Sequence, residues 1–183
     1  MANKPFKCES CKTQYPSRYK FANFCPACCA LLPSTKKFVE EYFKRVGLHK
    51  KLNDAKRLFL KNEYAGAVRV ATIILEKEIR ELIHDDSLFG VVLISKAFSF
   101  EYDEQGKRIT REPLIKINLL RTKSERNEQE GMKMYCMGIM AGIRNILAHN
   151  NPHIIPFKSM ILISDISFII HEITSGSTIF FQT

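Results

Sequence analysis

Gly138-Ile139-Met140-Ala141-Gly142-Ile143-Arg144-Asn145-Ile146-Leu147-Ala148-His149 is the stretch on which the reading of this chain turns. Ile139, Ile143, Ile146 and Leu147 recur with helical spacing, which predicts a helix burying one apolar stripe. An arginine, an asparagine and a histidine are set into that stripe. Asn150-Asn151-Pro152 follows, and proline both ends a helix and biases the residue before it away from helical geometry. His149 is therefore expected in the last turn, where free carbonyls and the negative end of the helix dipole favour an imidazolium. A protonatable histidine beside a permanent guanidinium suits chemistry on phosphate. The same two residues also serve, without any chemistry, as dipole partners and carbonyl donors. Five residues along an α-helix turn a side chain through roughly 140°, so Arg144 and His149 share a face only where the helix end loosens.

Outward from that stretch the pattern stays helical. Toward the C-terminus, Pro156 opens a helix to about Ile173 that buries Met160, Ile161, Ile163, Ile166, Ile169 and Ile170. The tail beyond it holds Ile179-Phe180-Phe181. Toward the N-terminus, residues 121–130 read as a charged loop and Leu114 to Leu120 as apolar chain. Residues 99–113 break the periodicity: Phe100 and Tyr102, a polar turn around Gly106, then Ile109 predict a small hairpin. Leu88 to Phe98 and Ala65 to His84 are expected helices. In the second, Ala67, Val70, Ala71, Ile74, Ile79 and Leu82 form the inner stripe, and Glu76, Glu78 and Glu81 alternate with Lys77 and Arg80 as a solvated face. Arg69 and Glu76 can also reach a central site. Two shorter helices precede these: one after Pro33 with Phe38, Val39, Tyr42, Phe43 and Val46 on its apolar face, closed by Gly47, and one from Leu48 to Lys61. Met132, Met134, Met137, Met140 and Cys136 read as core filler. The whole is an all-α bundle with short connections.

The first residues differ in kind. Cys8-x-x-Cys11 and Cys25-x-x-Cys28 are two knuckles separated by 13 residues, a spacing that offers four thiolates to one tetrahedral zinc ion. Two redox dithiols are the alternative, and these favour a βαβ context that is missing here. Cys29, next to the second knuckle, is a bystander or a substitute ligand. Short strands around Gln14-Tyr15 and from Phe21 to Phe24 would complete a small zinc ribbon. Four thiolates leave zinc no open position, so such a site is structural.

Charge separates the two halves. The chain of 183 residues carries a net charge of +9, but residues 1–62 hold 14 Lys and Arg against 4 Asp and Glu, a net +10. That points to an acidic partner met by the front of the molecule, RNA or DNA before a membrane surface. Arg18 and Lys20 in the ribbon, Lys36, Lys37, Lys44 and Arg45 on the first helix, and Lys50 and Lys51 on the second are the candidate nucleic-acid contacts. No signal sequence or membrane-spanning run is visible, which predicts a cytoplasmic protein. No internal repeat, Gly-rich phosphate loop or paired-carboxylate centre appears. The divisions expected are a zinc ribbon at 1–32, a basic helical connector at 33–61, a bundle at 62–174 and a tail at 175–183.

Arg144 to His149 matches the R-x4-6-H signature of the HEPN superfamily, including the polar residue after the arginine. From about Phe59 to Ile173 the chain resembles the Ymh-type, abortive-infection-like branch. The resemblance is carried by Phe59-Leu60-Lys61-Asn62-Glu63-Tyr64-Ala65-Gly66-Ala67-Val68, Gly131 and Gly142-Ile143-Arg144-Asn145. It implies a HEPN-like helical bundle acting as a homodimer, and a metal-independent endoribonuclease with Arg144, Asn145 and His149 as catalytic residues. It further implies 2′,3′-cyclic phosphate and 5′-hydroxyl products, a role in phage defence or a toxin–antitoxin-like system, and an antitoxin or sensor partner. The competing expectation is a non-catalytic module that binds nucleic acid or protein.

Overall fold

A computed structural model describes residues 6–16, 24–105, 109–144, 147 and 155–180. Among the described residues the chain is all-α apart from two small strand pairs. Strands β1 (Phe6–Lys7) and β2 (Gln14–Tyr15) pair antiparallel in the N-terminal module. Of the expected second ribbon strand, Phe24 is described and forms an isolated bridge with Leu31, while residues 21–23 lie outside the described residues. The bundle follows as α1 (Pro33–Arg45), a 3-10 turn (Lys50–Leu52) running into α2 (Asn53–Leu60), α3 (Tyr64–Ile83) and α4 (Gly90–Phe98). A hairpin of β3 (Glu101–Tyr102) and β4 (Ile109–Arg111) occupies the predicted insertion. Next come α5 (Lys123–Gly138), a π-helical turn (Ile139–Arg144) that continues it, and α6 (Pro156–Phe180).

Local chemistry explains the boundaries. Pro33 starts α1 in the first helical turn, where its missing N–H costs nothing. The helix ends in a Schellman arrangement: Gly47, at φ +66°, donates to the Lys44 carbonyl and Leu48 donates to that of Phe43. A capping box opens α5, with the Thr122 hydroxyl accepting from the Glu125 amide and the Glu125 carboxylate accepting from that of Thr122. Residues 123–130 are therefore helix and not the expected charged loop. Their polar run is the solvated face of a first turn whose start signal is Thr122-x-x-Glu125.

At the centre lies α3, packed against α2, α4 and α6. Ala67, Val68, Ala71, Leu75 and Ile79 are fully buried there, against Ile163, Ile166, Ile169, Ile170 and Ile173 of α6. Because neighbours enclose α3 on more than one side, Glu76 and Glu78 are buried as well, and the expected solvated face at those positions is corrected. Other apolar expectations fail at the rim: Phe38, Val46, Met134 and Ile161 are exposed. Cys136, Met132 and Met140 are core residues as expected. The irregular chain between β4 and α5 is fastened by buried Gln129, which donates to the carbonyls of Phe98 and Ile115 and accepts from the Ile117 amide.

The cysteine module docks on the bundle through defined bonds. Leu31 donates its amide to Asn62 Oδ1 at 2.8 Å, and the Tyr64 hydroxyl donates to the Cys29 carbonyl at 3.0 Å. Among the described residues, no helix is long and apolar enough to cross a membrane.

Candidate functional site

Two constellations stand out, and the first is the cysteine cluster. The four sulfurs of Cys8, Cys11, Cys25 and Cys28 lie within 4.8 Å of one another, although none is in a disulfide. Cys8 and Cys28 are 3.7 Å apart, and Cys11 and Cys25 are 3.6 Å apart. A metal–sulfur bond of about 2.3 Å gives a tetrahedron with edges of about 3.8 Å, so these two edges match a tetrathiolate site and the four sulfurs together are compatible with one metal ion. Cys8 and Cys25 are buried with Ala30 and Leu32 in a core of their own. Burial resists ionisation of Cys25, yet hydrogen bonds from the Tyr15 hydroxyl and from the Cys28 and Ala27 amides outweigh it and bring the thiol down to about 6. For Cys28 burial prevails, and with the neighbouring thiols it pushes the value up to about 12. Cys29 adopts a left-handed backbone, φ +55°, and gives its carbonyl to Tyr64; it lies outside the cluster of four.

The second constellation is built on α3. Glu76, 3% exposed, directs its carboxylate at two elements. One oxygen accepts from the Gly90 amide at the start of α4 at 2.7 Å; the other accepts from Arg144 Nη2 at 3.4 Å. Gly90 sits at φ +57°, which a side chain rarely adopts, and this turn delivers its N–H to Glu76. Arg144 ends the π-helical turn with its side chain 32% exposed, so part of the guanidinium faces solvent while one nitrogen is tied to a buried anion. Seven residues before Glu76, on the same side of α3, Arg69 donates through Nη2 to the Leu147 carbonyl. Two links thus join α3 to the stretch singled out in the sequence, one from each side.

Of the predicted catalytic residues, Arg144 stands at this site; Asn145 and His149 lie outside the described residues. Glycines 131, 138 and 142 have nothing within 4 Å of where a Cβ would sit, so no part of the described chain packs on them. Among the expected nucleic-acid contacts, Lys37, Lys44, Arg45 and Lys50 are exposed and Lys36 is half-buried. Lys37 and Lys44 flank a groove of about 560 Å³ between α1 and α2, where Lys56 joins them alongside Glu40 and Glu41. Lys51 is committed to Glu78 at 2.5 Å, with Glu81 at 3.9 Å, which leaves its charge largely matched. Arg18 and Lys20 lie outside the described residues.

The family described as "Protein of unknown function (Hypoth_ymh)" matches residues 47–173, well over half of the chain. The chain belongs to the Hypoth_ymh family. No curated protein and no solved structure matches it. The Hypoth_ymh region takes in α2 through most of α6, and with them Glu76, Gly90 and Arg144, while the four cysteines and α1 precede it. From the sequence, Glu76 reads mainly as a surface residue. The signal that identifies it is its spacing from Arg69, which sets both on the face of α3 that meets the Arg144 segment.

Proposed function

We propose that this Hypoth_ymh protein is a HEPN-type, metal-independent endoribonuclease. The observation that carries the reading is Arg144: a guanidinium anchored by a buried carboxylate, still partly open to solvent, at the end of a π-helical turn that leads into an R-x4-H motif. A π turn is a departure from α geometry that recurs at functional sites.

In the reaction, His149 takes the proton of the RNA 2′-hydroxyl, whose oxygen attacks the adjacent phosphorus. The P–O5′ bond breaks, the 5′-oxygen leaves as a hydroxyl after taking a proton from a His149 imidazolium acting as general acid, and the other product ends in a 2′,3′-cyclic phosphate. Arg144 offsets the charge that builds on the non-bridging oxygens. Asn145 orients the imidazole or the phosphate. Two copies of the motif meet across a two-fold axis, as the HEPN resemblance implies, and the bare Gly138 and Gly142 leave room on that helix for a close neighbour. Zinc held by Cys8, Cys11, Cys25 and Cys28 braces the N-terminal module, and the exposed lysines of α1 and the following turn draw in the nucleic acid. A defence role in the cytoplasm, under an antitoxin or sensor protein, follows from the same resemblance.

The test is digestion of a mixed-sequence RNA by wild type, Arg144→Ala and His149→Ala. Cleavage should vanish in both variants at unchanged helical content, and product ends should be cyclic phosphate and 5′-hydroxyl. Unchanged cleavage in both variants refutes the assignment and favours the binding-module alternative.

A further inference from the structure

An aromatic ring stands beside the arginine site without belonging to the core. Phe89 is 53% exposed and is absent from the residues packed against the main hydrophobic cluster. What holds it is a cation: the Arg80 guanidinium lies 4.8 Å from the ring centroid. Among the described residues Arg80 makes no ion pair, and its Nε is buried without a hydrogen-bond partner, so the ring face is what the guanidinium has been given. Phe89 therefore carries a cation over its ring while about half of its surface stays in solvent. A single exposed phenylalanine is ordinarily unremarkable. This one is placed by the same device that places Arg144. The peptide that follows Phe89 gives its N–H to one oxygen of Glu76, and Arg144 donates to the other. A half-exposed aromatic ring and a partly exposed guanidinium are thus tied to the two oxygens of one buried carboxylate, the ring through the peptide that follows it.

We infer that Phe89 is the stacking platform for an unpaired nucleobase flanking the phosphate that Arg144 binds, which makes single-stranded RNA the substrate class. The inference rests on the ribonuclease reading above. Stacking needs the free π-face of a base and is tolerant of which base it is, whereas a base inside a duplex has both faces occupied. Arg80 beneath the ring strengthens the platform: a guanidinium–ring–base stack keeps positive charge close to the phosphate without crowding it. Specificity at this site is accordingly for strandedness rather than for sequence.

The chain has no tryptophan, so Phe89→Trp introduces a sole indole at the platform. It is titrated with a fluorescein-labelled 2′-O-methyl octanucleotide, which cannot supply the attacking 2′-hydroxyl, and with the same strand in duplex form. Indole quenching and probe anisotropy are read in parallel. The expected result is saturable quenching by the single strand and little by the duplex. Phe89→Ala should weaken single-strand binding by roughly 5- to 100-fold, with duplex binding unchanged. Binding seen by anisotropy with no quenching, and with equal affinity in Phe89→Ala, overturns the platform. So does indole emission that is already blue-shifted and concentration-dependent before nucleic acid is added, because a second copy then covers the ring. Quenching by the oligonucleotide combined with no cleavage of unmodified RNA by the wild type overturns the ribonuclease reading instead and leaves the platform standing.

Discussion

Replacing Glu76 separates two roles that the structure assigns to one side chain. Glu76→Ala removes the acceptor of the Gly90 amide and the anion beside Arg144. An N–H left without its partner in a part-buried site costs about 1–2 kcal/mol. Breaking a fully buried ion pair costs about 3–5 kcal/mol, but that figure needs reducing here, since Arg144 is a third exposed and the contact is long; about 1 kcal/mol is appropriate. The alanine variant should therefore lose about 2–3 kcal/mol, a fall in Tm of roughly 4–12 °C for a chain of this length. Glu76→Gln keeps an oxygen for Gly90 and loses only the charge, so it should lose about 1 kcal/mol. A thermal melt followed by circular dichroism, with urea titration for the free energies, measures both. A double-mutant cycle with Arg144→Ala isolates the pair, with a coupling of about 1 kcal/mol expected. The reasoning is refuted if alanine and glutamine cost the same, or if the cycle closes with no coupling.

The cysteine cluster predicts about one equivalent of zinc in freshly purified, reduced protein, falling below half in Cys25→Ser; mass spectrometry under native conditions reads both, and a metal-free wild type with the same resistance to proteolysis would rule the site out. Acid should weaken the fold through His49, whose imidazole is held below its ordinary range first by burial and then by the charge of His171. Its Nδ1 accepts the Lys51 amide, which only the neutral ring can do. A depressed folded-state value contributes stability that is present above the unfolded value of about 6.5 and lost as pH falls through the folded one. Urea midpoints should then decline from pH 7.5 to pH 5, with a shallower decline in His49→Gln; parallel profiles in the two proteins would remove His49 as the cause.

Much of the fold was legible because burial here follows helical periodicity. The isoleucines of α6 and the alanine-rich stripe of α3 fix two helices and their inner faces, and Pro33, Gly47 and Pro156 punctuate the chain where its helices begin and end. The start of α5 was hidden because residues 123–130 are polar almost throughout, and periodicity cannot find a helix whose first turns bury little. Only the capping box reports it. Glu76 and Glu78 were misread for a different reason. Alternation with Lys77 and Arg80 signals solvent when a helix has one buried side, and α3 is enclosed on several. The cysteine cluster was legible from spacing alone, because metal chemistry fixes ligand number and reach before any fold is known. Arg144 was legible as a motif member, but its anchor was not: pairing across 68 positions is a tertiary fact that no local pattern encodes.

Departures from local preference gather on one stretch of chain. Gly131, Gly138 and Gly142 stand in helical winding with nothing near their missing Cβ, and each forgoes about 1 kcal/mol relative to alanine. The α-helix gives way to a π turn at Ile139, and a carboxylate is buried on the helix opposite. Such a segment needs its position fixed from outside, because a wide, glycine-bearing turn does not fix itself. The two arginine links meet that need. Arg144 reaches from the segment to Glu76, and Arg69 reaches back from α3 to the carbonyl of Leu147. Their anchor points are seven residues apart on α3, about 10 Å along its axis, but only three apart in the segment. Holding Arg144 and Leu147 against a rigid helix fixes both of these points of the segment, and leaves the core isoleucines to supply the stability this arrangement forgoes.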